Sequence, residues 1–122
     1  MVAVEGATNF YNSGNMSNLG AAISLPTTKA PVYMHLASTL ASESTYYTTY
    51  KIVVKIASKP VGETHSVGET VATLTVASPN SAAINLDVLG AWTFDFELTI
   101  TAKSVASDQA RTVTITVTAE SS

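Results

Sequence analysis

The chain has 122 residues (12.7 kDa), six Lys and Arg against nine Asp and Glu, a net charge of -3, a pI near 5.1 and no cysteine. These values exclude a disulfide scaffold, Cys-ligated zinc, an iron-sulfur centre and a thiol nucleophile, and the acidic balance argues against a nucleic-acid-binding surface. Charged residues make up 12% of the chain, and the 18 Thr and 14 Ser fill the gap they leave.

At the N-terminus, Met1-Val2-Ala3-Val4-Glu5-Gly6 has neither a basic start nor an apolar h-region, so no secretory signal is expected. Asn9, Asn12, Asn15 and Asn18 recur at every third position among Gly and Ser, a composition too polar for a core strand. Residues 1–30 therefore read as an extended N-terminal arm. Val2, Val4, Phe10, Tyr11, Ala21, Ile23 and Leu25 are its candidate assembly contacts, lying on something other than their own domain.

From Pro31 onward, period-2 alternation dominates, and residues 31–122 read as one domain. Short strands are expected at 21–25 and 32–37. From Tyr46 to Ala57, Tyr46, Tyr50, Ile52, Val54 and Ile56 alternate with Tyr47, Thr49, Lys51 and Lys55. A strand sends these two sets to opposite faces, whereas a helix would scatter them. The aliphatic run Ile52-Val53-Val54 is cut by Lys51 and Lys55, far short of the ~18 apolar residues a membrane helix needs. No membrane insertion is expected.

Next, Val61-Gly62-Glu63-Thr64 recurs as Val67-Gly68-Glu69-Thr70, read as a repeated turn followed by the start of a strand. Strands are expected at 71–77, with Ala72, Leu74 and Val76 inward, and at 83–88, with Ile84, Leu86 and Val88 inward. From Trp92 to Ala102, Trp92, Phe94, Phe96, Leu98 and Ile100 alternate with Thr93, Asp95, Glu97, Thr99 and Thr101. The last alternation sets Val113, Ile115, Val117 and Ala119 against Thr112, Thr114, Thr116 and Thr118. About seven strands separated by Pro, Gly, Asn and Ser turns indicate an all-β, antiparallel sandwich.

Chemistry-bearing patterns are sparse. The two histidines, His35 and His65, lack metal-ligand spacing and are expected at exposed or edge positions. No Gly-x-Ser-x-Gly occurs. Asp95 and Glu97 share one strand face ~6–7 Å apart, near a glycosidase spacing, but the aromatic residues that would line a sugar cleft alternate to the other face. Asp87, Asp95, Glu97 and Asp108 do not form a calcium-loop pattern. No catalytic residue, metal or cofactor is expected.

The run Gly68-Glu69-Thr70-Val71-Ala72-Thr73-Leu74-Thr75-Val76 resembles a strand start of immunoglobulin-like domains. Gly90-Ala91-Trp92-Thr93-Phe94-Asp95-Phe96-Glu97-Leu98-Thr99, followed by the strand from Arg111 to Thr118, is similar to the closing hairpin of bacterial and viral surface modules of that family. The resemblance covers about residues 60–120, without the family's inter-sheet cysteine pair. It implies an Ig-like β-sandwich serving as an adhesive, spacer or decorating unit. Low surface charge and the missing signal then point to a non-enzymatic virion structural protein, a capsid, decoration or tail component. Its expected partners are further copies of itself and other virion proteins. The alternative is an extracellular filament, pilin or adhesin subunit that donates an N-terminal strand to a neighbour's sheet.

Overall fold

The computed structural model describes residues 2–12, 19–24, 32–45, 47–102 and 111–121, with side chains over 32–44, 49–99 and 113–119. The fold is all-β. Eight strands are present among the described residues: β1 (Val2–Asn12), β2 (Leu19–Ser24), β3 (Val32–Ser38), β4 (Tyr47–Ser58), β5 (Thr70–Thr75), β6 (Ile84–Leu86), β7 (Ala91–Ala102) and β8 (Arg111–Ser121). A short 3-10 helix, Leu40–Thr45, precedes β4 and buries Leu40 and Glu43.

The strands form two antiparallel sheets, ordered β1-β8-β3-β6 and β2-β7-β4-β5. Both contribute their inward rows to one shared core. The first sheet supplies Val32, Met34 and Leu36, Ile84 and Leu86, and Val113, Ile115, Val117 and Ala119. From the second come Tyr50, Ile52, Val54 and Ile56, Leu74, and Trp92, Phe94, Phe96 and Leu98. Every second side chain from Tyr50 to Ile56, from Trp92 to Leu98 and from Val113 to Ala119 is buried, as strict alternation requires of a sheet wet on one side only. Trp92 and Phe94 stack with ring centroids 6.0 Å apart and planes within 5°, and the Trp92 indole N–H donates to the Val88 carbonyl at 3.2 Å.

Pairing is nested. β1 pairs with β8, β2 with β7, β3 with β6 and β4 with β5, as if one long antiparallel ribbon had been rolled up. The contacts of β3 with β8 and of β4 with β7 are those the rolling adds. Such a double sheet of eight strands has the arrangement of a jelly roll. Among the described strands, only β4 and β5 are consecutive in the chain and neighbours in one sheet.

The seven expected strands correspond to β2 through β8. The eighth, β1, falls in the stretch read as an arm. Residues 2–12 pair with β8 along the full length of β1, and residues 19–24 pair with β7, so both lie on their own sheets as edge strands. The Asn and Gly content that argued for an arm is compatible with an edge position, where only one side of the backbone is paired.

The free margin of β3 beyond β6 is capped by the 79–81 turn. Ser81 Oγ accepts from Leu36 N at 2.8 Å, Ser81 N donates to Leu36 O at 2.8 Å, and Ser38 Oγ donates to Pro79 O at 2.5 Å. These bonds satisfy backbone groups that an unpaired edge would leave open.

Candidate interaction surfaces

Two features outside the core set the molecule's chemistry: the loop at one end of the β4–β5 hairpin, and the contrast between the two outer sheet faces.

The loop is built by the tetrapeptide repeat. Glu63 N donates to Pro60 O and Glu69 N to Ser66 O, closing two β-turns with Gly62 (φ 93°) and Gly68 (φ 91°) at the third position. A left-handed conformation there favours glycine, as in a type II turn. The repeat thus forms two turns in the structure. Its two carboxylates differ in placement: Glu63 is 6% exposed and Glu69 lies in solvent.

Glu63 reaches inward and accepts from Val88 N at 2.9 Å and from His65 N at 3.3 Å. The Lys59 ammonium donates to the carbonyls of Glu63 at 3.0 Å and His65 at 2.5 Å. Thr64 Oγ1 donates to the Asp87 carboxylate. Together these bonds tie the loop of the second sheet to the 85–88 segment that leaves the first sheet at β6. A buried carboxylate with two backbone donors is satisfied rather than poised for reaction.

His65 completes the tie. Its Nδ1 lies 2.9 Å from Glu69 Oε2, and its Nε2 lies 2.5 Å from the Asn85 carbonyl and 3.6 Å from Glu63 Oε1. All of these partners accept, so the ring meets both contacts only as an imidazolium that donates from each nitrogen. The Asn85 carbonyl raises its pKa above the ordinary 6.5, with Glu69 and Glu63 adding to the rise and partial burial opposing it. The Ser66 amide, and after it His65, lowers the Glu69 pKa below the ordinary 4.5.

Linkage fixes the pH window. The contribution of His65 is fully present below pH 6.5 and is lost as pH rises through its raised folded value; that of Glu69 is present above pH 4.5 and is lost as pH falls through its lowered one. Thermal melts at a series of pH values are expected to show greatest stability between those limits. The variant His65→Asn should lower Tm at pH 5.5 and have much less effect at pH 9. An equal loss at both pH values would contradict this reading.

The outer face of the second sheet carries the charge. Lys51, Lys55, Asp95 and Glu97 are all half-buried there, and Lys55 Nζ contacts Glu97 Oε2 at 3.0 Å. A partly exposed pair of this kind is worth roughly 1 kcal/mol at most. Asp95 and Glu97, the pair at glycosidase spacing, thus stand on the β4–β7 ladder with Lys55 beside them, while Trp92, Phe94 and Phe96 are buried on the opposite side. Among the described residues, no group of three or more His, Asp or Glu is placed to hold a metal ion. Asp108 lies outside the described residues.

The outer face of the first sheet is different. Its described side chains are Tyr33, His35 and Ala37 on β3, Asn85 on β6, and Thr114, Thr116 and Thr118 on β8, with no Lys, Arg, Asp or Glu among them. Carboxylates take register positions at its margins, Glu5 opposite Thr118 on the edge strand and Glu120 opposite Tyr33 near the end of β8. His35 is exposed on this face. A free monomer ordinarily mixes charges over such a sheet.

Of the arm residues picked out as assembly contacts, Val2, Val4, Phe10 and Tyr11 stand in β1 opposite Ser121, Ala119, Val113 and Thr112. Ala21 and Ile23 stand in β2 opposite Phe94 and Trp92. Leu25 lies outside the described residues. Val4, Phe10, Ala21 and Ile23 thus share register positions with residues of the inward rows, which makes them members of the sheets in place of an outlying arm. Sequence reasoning missed the sheet face that stands out instead; its signal was the Thr row of β8 beside the charge-free β3.

Compared with known proteins, the chain matches no family model and no curated sequence. Among the described residues, no helix is long and apolar enough to cross a membrane.

Proposed function

We propose that this chain is a non-enzymatic structural subunit of a virus particle, a capsid, decoration or tail component, working as repeated copies that pack through the outer face of the first sheet. The observation that carries the reading is the uncharged centre of that face, set against a second sheet that holds Lys51, Lys55, Asp95 and Glu97. Burying Thr, Ala and Tyr against a neighbour costs little where the hydroxyls keep hydrogen-bond partners, whereas burying four charges would cost several kcal/mol apiece unless each were paired.

The fold supports the same reading. An Ig-like order pairs strands as A-B-E-D and C-F-G, with the first strand beside the second. Nested pairing of β1 with β8 fits a jelly roll better, and jelly rolls recur in viral capsid and lectin domains. Fold alone does not choose between these, and the uncharged centre of the first sheet's outer face is what favours assembly.

A second reading keeps the filament or adhesin subunit. It is favoured by β1, an N-terminal edge strand that pairs with β8 over eleven residues and has the geometry a donated strand would need.

The test is electron microscopy of the wild type and of Ala37→Lys/Thr116→Lys, both substitutions at exposed positions. Ordered particles are expected from the wild type and are expected to be lost in the variant, which should still melt cooperatively. Ordered assemblies that persist unchanged in the variant would overturn the face-packing reading; if they are fibrous, they favour strand donation.

A further inference from the structure

The β4–β5 hairpin carries an exposed apolar knob at one end and an apolar socket at the other. At the loop end, Val61 is 99% exposed and Val67 is 59% exposed, the large hydrophobic side chains that stand out in solvent among the described residues. They occupy the same position, second of four, in the two turns of the repeat. The turns require glycine at the third position and are satisfied by almost any residue at the second, with Pro favoured. Local structure therefore does not explain why valine stands at both.

The opposite end of the hairpin, where β4 begins and β5 finishes, holds a hollow of about 250 Å³ lined by Thr49, Tyr50, Lys51, Thr75, Val76 and Ala77. Lys51 and Thr75 are register partners at its mouth. Seven residue steps along β4 take Lys51 to Ser58, roughly 23 Å at strand rise, so the hollow and the loop cannot meet within one chain.

Charge matches as well. The knob end carries Glu63, Glu69 and Asp87 against Lys59 and His65. At the socket, Lys51 makes no ion pair among the described residues, in contrast to Lys55, which is bridged to Glu97. Lys51 faces Thr75 on one side and Thr99 on the other, so no carboxylate stands opposite it on either neighbouring strand.

We infer that a second copy of this chain seats its Val61/Val67 turns in the hollow between β4 and β5, with Lys51 beside the acidic loop end, so that copies join head to tail. The contact is heterologous: each copy uses its loop on one neighbour and its socket on the other. A contact of that kind builds strings or rings rather than dimers. The inference rests on the assembly reading above but uses a different surface from the first-sheet face.

The experiment is sedimentation velocity over a concentration series in the Ala37→Lys/Thr116→Lys background, where the face contact is removed. In that background we compare the unaltered knob and socket, a knobless chain (Val61→Asp/Val67→Asp) and a socket-blocked chain (Lys51→Glu). All these positions lie outside the core, and circular dichroism melts should match. With knob and socket intact, the mean mass should rise with concentration beyond the dimer. Each variant alone should stay monomeric, and a 1:1 mixture should stop at the heterodimer, because the knobless chain still has a socket and the blocked chain still has a knob.

Either variant alone assembling like its parent would overturn the head-to-tail contact, as would a mixture that remains monomeric. Ordered wild-type particles combined with monomers throughout this background would overturn the inference and leave the face reading standing. Wild type that is monomeric at every concentration would overturn both.

Discussion

Deletion of residues 1–24 is expected to abolish cooperative folding. The cut removes β1 and β2, and with them the ladder positions that join Val2–Asn12 to β8 and Leu19–Ser24 to β7. β8 would then present an open margin eleven residues long, rich in Thr and Val, and β7 would lose cover opposite Trp92, Phe94 and Phe96. Long open edges of high β-propensity template aggregation. Since a domain's whole stability is about 5–15 kcal/mol, the loss of two of eight strands is of the same order as the total. The readout is the thermal transition by circular dichroism together with the soluble mass after refolding. Aggregation or a flat melt is the predicted outcome. A truncated chain that stays monomeric and melts as sharply as the full chain would restore the reading of residues 1–30 as a separable arm.

Trp92→Ala is expected to be the most costly single substitution in the second sheet. Trp92 is fully buried, stacks on Phe94 at 6.0 Å and donates to the Val88 carbonyl. Truncation leaves a cavity between the sheets and strips the Val88 carbonyl of its indole donor, for a loss of about 3–5 kcal/mol. The effect should spread to the loop, because the Val88 amide is also the group that Glu63 holds at 2.9 Å. Urea unfolding should show a lower midpoint with an unchanged slope. Trp92→Phe should recover part of the loss, since it refills volume without the N–H. A Trp92→Ala variant within 1 kcal/mol of wild type would contradict the packing described here.

The elements that could be read from sequence are those in which one short-range rule fixes both structure and burial. Trp92 to Leu98 and Val113 to Ala119 alternate without interruption, Tyr50 to Ile56 does so but for Val53, and each inward position in those rows is buried. β1 escaped because Gly6, Thr8, Asn9 and Asn12 blur its alternation; an edge strand tolerates that when its partner supplies the register. The nested order escaped for a different reason. β1 pairs with a strand about a hundred residues away, and alternation says which way a side chain points without naming the strand beside it.

The loop divides in the same way. Gly62 and Gly68 mark both turns, because the left-handed backbone demands a residue type that can be read directly. Nothing in two identical Val-Gly-Glu-Thr tetrapeptides announces that Glu63 is buried under Val88 while Glu69 stays in solvent. That difference comes from where the 85–88 segment crosses the loop, a tertiary placement. His65, expected at an exposed or edge position, is partly exposed in the loop, and that it bridges two carboxylates and a carbonyl there is likewise a tertiary placement.

Direct imaging of the native assembly by electron cryomicroscopy, at a resolution that traces strands, bears most immediately on the idea that this chain works in company. The expected map shows many copies of one eight-stranded roll, with Tyr33, Ala37 and Thr116 of each copy covered by a neighbour. A map in which that sheet face stands bare to solvent, or a preparation that holds only single copies at every concentration, would contradict it.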